Sequence, residues 1–383
     1  MPVLTPEKKS APTKCAARGQ RALAAGFFAL LLGPGLLWLA LHSRCDTTNY
    51  ENRTLTPFPG KSVPISDWPS AFESWLGDNA PFRNSFLSLK AGADLLTGSL
   101  DSDSVLQGRD GWLFLKDVSD SRSLSDYQGL TAYTEDETRT MAETLTALNE
   151  ALAARGSKLV ILFAPAKEGV YASRMPTSIP VVSRPTRVEA LTQALSASGV
   201  PVVFPLEPLR TASETQQVYY KYDTHWNDPG AWLAAQQVFA ALGLPYETTL
   251  PQTAVDPGET APKDLANLCG RWNWCTDDLY YKVNAPTARL TEGSRESELT
   301  RYQGDGSGAL LLARDSFGAA LGPHLAEGFD TALVLHTNQL TVENLLVQQP
   351  TVPDAVVLEV GERFSDNLQR RMEILLDWVG RLA

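Results

Sequence analysis

The chain has 383 residues, long enough for two or three domains or one large α/β unit. Hydrophobic residues make up 43% and charged residues 20%, an ordinary globular balance that excludes a disordered or collagen-like chain. The 33 basic and 44 acidic residues give a formal charge of -11, and with six of the basic and one of the acidic residues in positions 1–44, the remainder carries -16. Nucleic acid, whose affinity comes from neutralised phosphates, is excluded as a partner.

Residues 22–41, ALAAGFFALLLGPGLLWLAL, contain no charge, and at the helical rise they match a bilayer core of roughly 30 Å. Five Lys/Arg residues (Lys8, Lys9, Lys14, Arg18, Arg21) precede the run, so the positive-inside rule keeps the amino terminus in the cytoplasm. The exit, LALHSR, lacks the small-x-small pattern of a cleaved signal peptide, and Ser43-Arg44 is a poor run-up to lipoprotein processing at Cys45. The expected organisation is a cytoplasmic tail (1–21), a transmembrane signal anchor (22–43) in the inner membrane, a polar tether (44–62) and a periplasmic domain (63–383). In that compartment Cys269 and Cys275 are candidates to close one small disulfide loop, with two free thiols as the alternative. The spacing of a zinc site is missing.

The body then alternates helices with short apolar runs. Thr134-Glu135-Asp136-Glu137 reads as a capping box opening a helix that runs to Gly156. LVILFAP (159–165) follows at strand length, then a helix over 187–198 and the run VPVVFPL (200–206). Asp228-Pro229 reads as an N-cap with proline at N1, starting a helix that stops at Gly243. ALLLARDSF (309–317), TALVLHT (331–337) and DAVVLEV (354–360) come later, with an amphipathic helix over 363–382. Five apolar runs without polar alternation indicate a mostly parallel sheet covered on both faces. In such sheets chemistry gathers in the loops at the carboxyl ends of the strands. Residues 246–307 show no clear periodicity and remain unassigned.

Histidine is scarce, with four in the chain, and His42 falls at the membrane exit. His225 stands in Tyr222-Asp223-Thr224-His225-Trp226-Asn227, directly before the cap at Asp228. Residues two apart in an extended loop share a side, so Asp223 can accept the Nδ1 proton of His225 and leave Nε2 as a base. The alternative is that Asp223 only organises the helix entrance and His225 fills a polar niche. Ser316 follows an apolar strand and precedes Phe317-Gly318 and a helix. That setting presents a hydroxyl above the sheet, with helix-start amides placed for an oxyanion, although an ordinary serine N-cap has the same pattern.

Together these residues resemble the SGNH-type O-acetyltransferases of the alginate acetylation AlgJ/AlgX family. The resemblance rests on Glu51-Asn52-Arg53, Gly108-Arg109-Asp110-Gly111-Trp112-Leu113-Phe114, Pro165-x-Lys167 with Tyr171, Asp223-Thr224-His225-Trp226 and Asp315-Ser316-Phe317. It implies an SGNH-hydrolase-like three-layer α/β sandwich, in permuted order with Asp-x-His before Ser, and a triad of Ser316, His225 and Asp223. It further implies acetyl transfer through an acetyl-serine onto an extracellular polysaccharide, with a membrane-bound O-acyltransferase as acetyl source and neither metal nor cofactor. The same triad with water as acceptor would make a carbohydrate esterase, and without catalysis the chain would be a scaffold of a secretion complex. The oxyanion and substrate candidates are Phe317, Asn338 (by position after TALVLHT), Lys167, Tyr222, Trp226 and Arg314. Trp112, Trp226 and Tyr222 are placed to stack on sugar rings or to pack inside. Lys167, Lys221, Arg314 and Arg363 are the cations near the strand ends, and the acidic body favours a neutral or weakly charged acceptor.

Overall fold

The computed structural model describes residues 14–382 apart from Asn52, Asp101, Asp120 and Pro286. Most of the expected cytoplasmic tail, and Asn52 of the Glu51-Asn52-Arg53 stretch, lie outside the described residues. The chain divides into two compact units, Met1–Ala93 and Asp94–Ala383.

The first unit holds α1 (Lys14–Leu41), α2 (Trp68–Asn79) and most of α3 (Arg83–Thr97). The whole uncharged run lies in α1, where Leu23 and Leu30 are 80% and 81% exposed. Among the described residues no helix is long and apolar enough to cross a membrane. The described residues among 46–62 form neither helix nor strand, yet they are fastened: the Arg53 guanidinium bridges Glu51 at 2.7 Å and Asp78 of α2 at 2.5 Å. Asp78 also accepts the Thr56 N–H at 2.8 Å.

The second unit is built on a seven-stranded mixed sheet. Its strands are β1 (Lys158–Ala164), β2 (Val202–Val203), β3 (Arg289–Glu292), β4 (Leu299–Gln303), β5 (Ala309–Arg314), β6 (Thr331–His336) and β7 (Ala355–Gly361). They lie in the order β2-β1-β7-β5-β6-β4-β3. The five apolar runs supply the parallel strands β1, β2, β5, β6 and β7. Pro201 and Pro205 have no N–H to give a ladder, so the run at 200–206 contracts to two paired residues. The unassigned stretch contributes the antiparallel edge strands β3 and β4. Its pattern is weak because all four residues of β3 are exposed and β4 buries only alternate residues.

Helices cover both faces: α4 (Glu135–Ala153), α5 (Arg187–Ser196), α6 (Asp228–Leu242), α8 (Gly318–Ala326) and α9 (Leu368–Arg381), while the short α7 (Asp264–Leu268) packs apart from them, with Val105, Leu113 and Leu115. Successive strand residues point to opposite sides. Val160, Leu162, Leu312 and Val357 therefore pack on α6 and α8, while Leu159, Ile161, Leu311 and Val356 pack on α4, α5 and α9. The capping box forms as expected, with Thr134 accepting from the Glu137 N–H and Glu137 reaching back to Thr134. At α6 the cap is Asn227 rather than Asp228: the Asn227 side chain accepts the Gly230 N–H at 3.2 Å, and Pro229 falls one position later than expected. Asp228 is thereby free to turn its carboxylate to buried His324, 3.0 Å away on α8.

Replacing Leu312, fully buried in a central strand, by Ala should destabilise the fold by about 2–5 kcal/mol. Thr134→Ala, which removes only a helix cap, should cost about 1 kcal/mol. Urea titration of both variants checks the ordering.

Candidate active site

Parallel register sets Ala164 beside Gly361, and Leu358 beside Ala313, so β1, β7 and β5 end together. Two segments meet above these ends. The first, residues 218–227, doubles back on itself: Tyr219 bridges Trp226, the Tyr220 N–H donates to His225 O at 3.1 Å and the Asn227 N–H to Val218 O at 3.1 Å. Gly230 of α6 is required beneath it, because a Cβ there would lie 2.3 Å from Val218 O. Beyond β1, the buried Lys167 ammonium donates to the carbonyls of Tyr220 (3.2 Å), Lys221 (3.2 Å) and Asp223 (2.7 Å). Trp112 of the GRDGWLF segment stacks on Tyr171 at 4.2 Å, and the Leu113 N–H reaches Lys221 O at 3.2 Å.

The second segment is the turn Asp315-Ser316-Phe317 after β5. Asp315 organises it by accepting the Phe317 N–H at 3.1 Å and the Gly361 N–H at 2.7 Å, while its own N–H goes to buried Glu359 at 2.9 Å. Gly318 allows the chain to pass over Arg314, whose Cβ would be 2.3 Å from any Cβ added there. The two segments are tied where the Trp226 indole N–H donates to Phe317 O at 2.9 Å.

This brings the three predicted residues together. His225 Nε2 lies 2.7 Å from Ser316 Oγ, and His225 Nδ1 lies 2.7 Å from Asp223 Oδ1. Burial works against the Asp223 anion, but the charge and hydrogen bond of His225, with backbone N–H donors, hold its carboxyl well below the usual range. Burial would likewise lower the imidazole; the Asp223 carboxylate outweighs it and raises His225 above its ordinary 6.5. A cleft of about 460 Å³ opens at Ser316, walled by Tyr220, Trp226, Tyr280 and Phe317 and carrying Arg295 and Glu296.

Other sequence candidates have different places. Lys167 holds no sugar carboxylate, being buried and committed to three carbonyls. Arg314 is also buried, donating to the carbonyls of Asp315, Ser297 and Arg295. The Phe317 amide is spent on Asp315, and its ring packs against His225 at 4.8 Å between centroids. Asn338 gives its side-chain amide to Glu298 at 2.9 Å and is not among the residues around the cleft. Tyr222 is buried, its hydroxyl on Asp277, whereas Trp226 is buried but does face the cleft. The expected disulfide loop is not closed. Cys269 and Cys275 are free thiols, and Cys269 Sγ is turned toward Ala266 O at 3.6 Å by the tight end of α7.

The neighbour of the site that sequence reading missed is Asp264, and finding it would have needed a local signal. Asp264 carried none: it lies in the aperiodic stretch, yet its N–H donates to Asp223 Oδ2 at 2.8 Å and its carboxylate accepts the N–H and hydroxyl of Thr224 at 2.9 and 2.6 Å.

A serine at a strand–helix elbow, hydrogen-bonded to a His–Asp pair over the carboxyl ends of a parallel sheet, defines an α/β protein of the serine-hydrolase type. Residues 105–305, just over half of the chain, match the SGNH hydrolase-like domain of the acetyltransferase AlgX, and the chain belongs to that family. The matched span includes Asp223 and His225 and stops short of Ser316. Among curated relatives, the probable alginate O-acetylase AlgJ of Pseudomonas syringae pv. tomato is 27% identical over 244 residues, covering 63% of this chain and 59% of the relative. That of Pseudomonas aeruginosa is 25% identical over 264 residues, 67% and 62% of the two chains. The chain thus spans about three-fifths of the length of the curated relatives it matches. Among solved structures, the O-acetyltransferase domain of Pseudomonas putida AlgJ aligns with 72% of this chain and 99% of its own, at 20% identity and a TM-score of 0.44. Bacillus cereus PatB1 with a sulfonyl adduct aligns with 70% of this chain and 99% of its own, at 15% identity and a TM-score of 0.48.

Lys167→Met strips three hydrogen bonds from the His225 loop and also removes a desolvated charge, so the net destabilisation should be about 2–4 kcal/mol. Denaturant titration, with Lys221→Met, whose ammonium only pairs with Asp277, as a comparison, checks it.

Proposed function

We propose that this chain is a polysaccharide O-acetyltransferase acting through an acetyl-serine. The observation that carries the reading is the unbroken line of hydrogen bonds from Asp223 through His225 to Ser316, ending in a cleft walled by aromatic rings. In the first half-reaction His225 Nε2 takes the Ser316 proton as Oγ attacks the acetyl carbonyl of a donor ester. Asp223 stabilises the imidazolium, which then hands its proton to the departing oxygen. In the second half-reaction His225 takes the proton of a sugar hydroxyl, that oxygen attacks the acetyl-serine, and Ser316 leaves with the proton. The elbow amides of Phe317, Gly318 and Ala319 are donated to Asp315 or Ser316. Among the described residues this leaves the Ser316 N–H as the elbow donor for the oxyanion. The rings of Tyr220, Trp226 and Tyr280 suit a sugar acceptor better than water.

The four cations near the strand ends do not converge. Lys167 and Arg314 bind carbonyls, Lys221 pairs with Asp277 at 2.8 Å, and Arg363 lies over the Phe317 ring. In the cleft Arg295 stands beside Glu296 and lies 4.0 Å from Asp228. This supports a neutral or weakly charged polysaccharide, although the curated relatives are named for alginate. The Asp-x-His-before-Ser order agrees with a permuted SGNH arrangement.

The chain is further read as a single-pass protein of the inner membrane, with residues 22–41 of α1 as signal anchor and the catalytic unit in the periplasm. The uncharged run, the five preceding cations and the exposed leucines of α1 support this. A membrane-bound O-acyltransferase is then the source of acetyl groups where acetyl-coenzyme A is absent.

Ser316→Ala and His225→Ala should each lower acetyl transfer by at least about a thousandfold, and the double variant should lose little more, since the triad acts as a unit. Mass spectrometry of neutral and uronic-acid oligomers incubated with an acetyl donor ester reads the loss and the acceptor together. A Ser316→Ala chain within tenfold of the parent would sink the reading. The rate should fall as pH drops, with a midpoint above 6.5, because the raised His225 must be neutral to act as base. For topology, protease added to spheroplasts should digest residues 63–383; protection of that region would overturn the anchor.

A further inference from the structure

We propose that Asp264, supplied by the aperiodic stretch before β3, is a positioning residue of the triad: it locks the Asp223 carboxylate in plane and sets a second carboxylate behind His225. This rests on the acyl-transfer reading above. Asp223 Oδ1 receives both the N–H and the Nδ1–H of His225, at 3.0 and 2.7 Å. A carboxylate held through one oxygen can still pivot. The second oxygen is fixed by the Asp264 N–H at 2.8 Å, so the acid has no remaining freedom. The Asp264 side chain in turn takes both donors of Thr224, the residue between Asp223 and His225, and so sets the spacing of the pair from the other side.

The charge arrangement adds to this geometry. Asp264 Oδ2 lies 4.0 Å from His225 Nδ1, too far for a hydrogen bond but close enough to favour the imidazolium that forms as Ser316 attacks. The groups facing the pair are Asp223 on its own loop, Lys167 beneath it and Arg363 beyond β7, the last opposing a positive imidazole. Burial, with the Asp223 anion alongside, pushes the Asp264 carboxyl up to about 6. It is thus mostly ionised at neutral pH.

Asp264→Asn keeps the backbone N–H and an acceptor for Thr224 but deletes the charge. Two effects of opposite appearance should follow in the full chain. The maximal rate on p-nitrophenyl acetate should fall about tenfold with KM unchanged, since the developing imidazolium loses a stabilising charge. The acid limb should move down by roughly half a pH unit, because the same loss lowers the His225 pKa. Asp264→Ala should be slower still. An NMR titration of His225 in the parent and in Asp264→Asn reads the coupling without any turnover and should show the same downward shift. A rate loss in Asp264→Asn without a shift in either the acid limb or the His225 midpoint would reduce Asp264 to a structural part and overturn the proposal. Parent-like rate and titration would overturn it as well. Should the parent chain neither turn over esters nor be labelled at Ser316 by phenylmethanesulfonyl fluoride, the acyl-transfer reading fails, and the His225 titration still decides the coupling.

Discussion

The buried Lys167 ammonium is held where water cannot reach it, and an ion so placed must be surrounded by acceptors. The acceptors it finds are three carbonyls of one loop. To supply them the loop must turn its carbonyls inward over the end of β1, which leaves the side chains of Asp223 and His225 facing the end of β5. A desolvated charge under the site thus fixes the backbone from which His225 projects. Trp112 and Phe114 complete the cage, their rings 5.6 and 5.2 Å from the ammonium. The GRDGWLF segment therefore serves the His225 loop from below, which explains how two distant motifs belong to one site.

The serine side is built on the same logic with opposite sign. Asp315 sits among N–H donors from Phe317 and Gly361, with the Arg371 guanidinium 3.6 Å away. Beside it, Glu359 is fully buried, and burial together with the Asp315 charge pushes its carboxyl well above the ordinary range. The cation and anion supports follow β1 and β5, the two strands that flank β7, so the His225 and Ser316 segments rest on the rigid middle of the sheet.

The elements legible in the sequence were those with a strong local signal. Continuous apolar runs gave the five parallel strands, because a strand buried on both faces has no polar alternation to confuse. Thr134 with Glu137 marked a helix start through a box of two reciprocal bonds. Asp223-x-His225 and Ser316 were readable because residue type and position at a strand end coincided. What stayed hidden depends on partners far along the chain. Lys167 and Arg314 read as cations facing substrate, since nothing local announces that carbonyls of other segments will surround them. Asn338 was placed by strand end alone, and its partner Glu298 belongs to the unassigned stretch. The cap at Asn227 rather than Asp228 turned on His324, which competes for the Asp228 carboxylate from another helix. Asp264 was invisible because its partners Asp223, Thr224 and His225 lie far back in the chain and nothing around it in sequence marks it.

The indole bond from Trp226 to Phe317 joins residues 91 apart in the chain. His225 and Ser316 therefore come within reach only by closing a long loop that carries α6 and the edge strands, which costs chain entropy before any contact repays it. A half-folded chain has the serine and the histidine but not their contact. On the acyl-transfer reading, Ser316 is therefore activated only in the finished fold, since a chain lacking the His225 contact has nothing to take the proton from its hydroxyl.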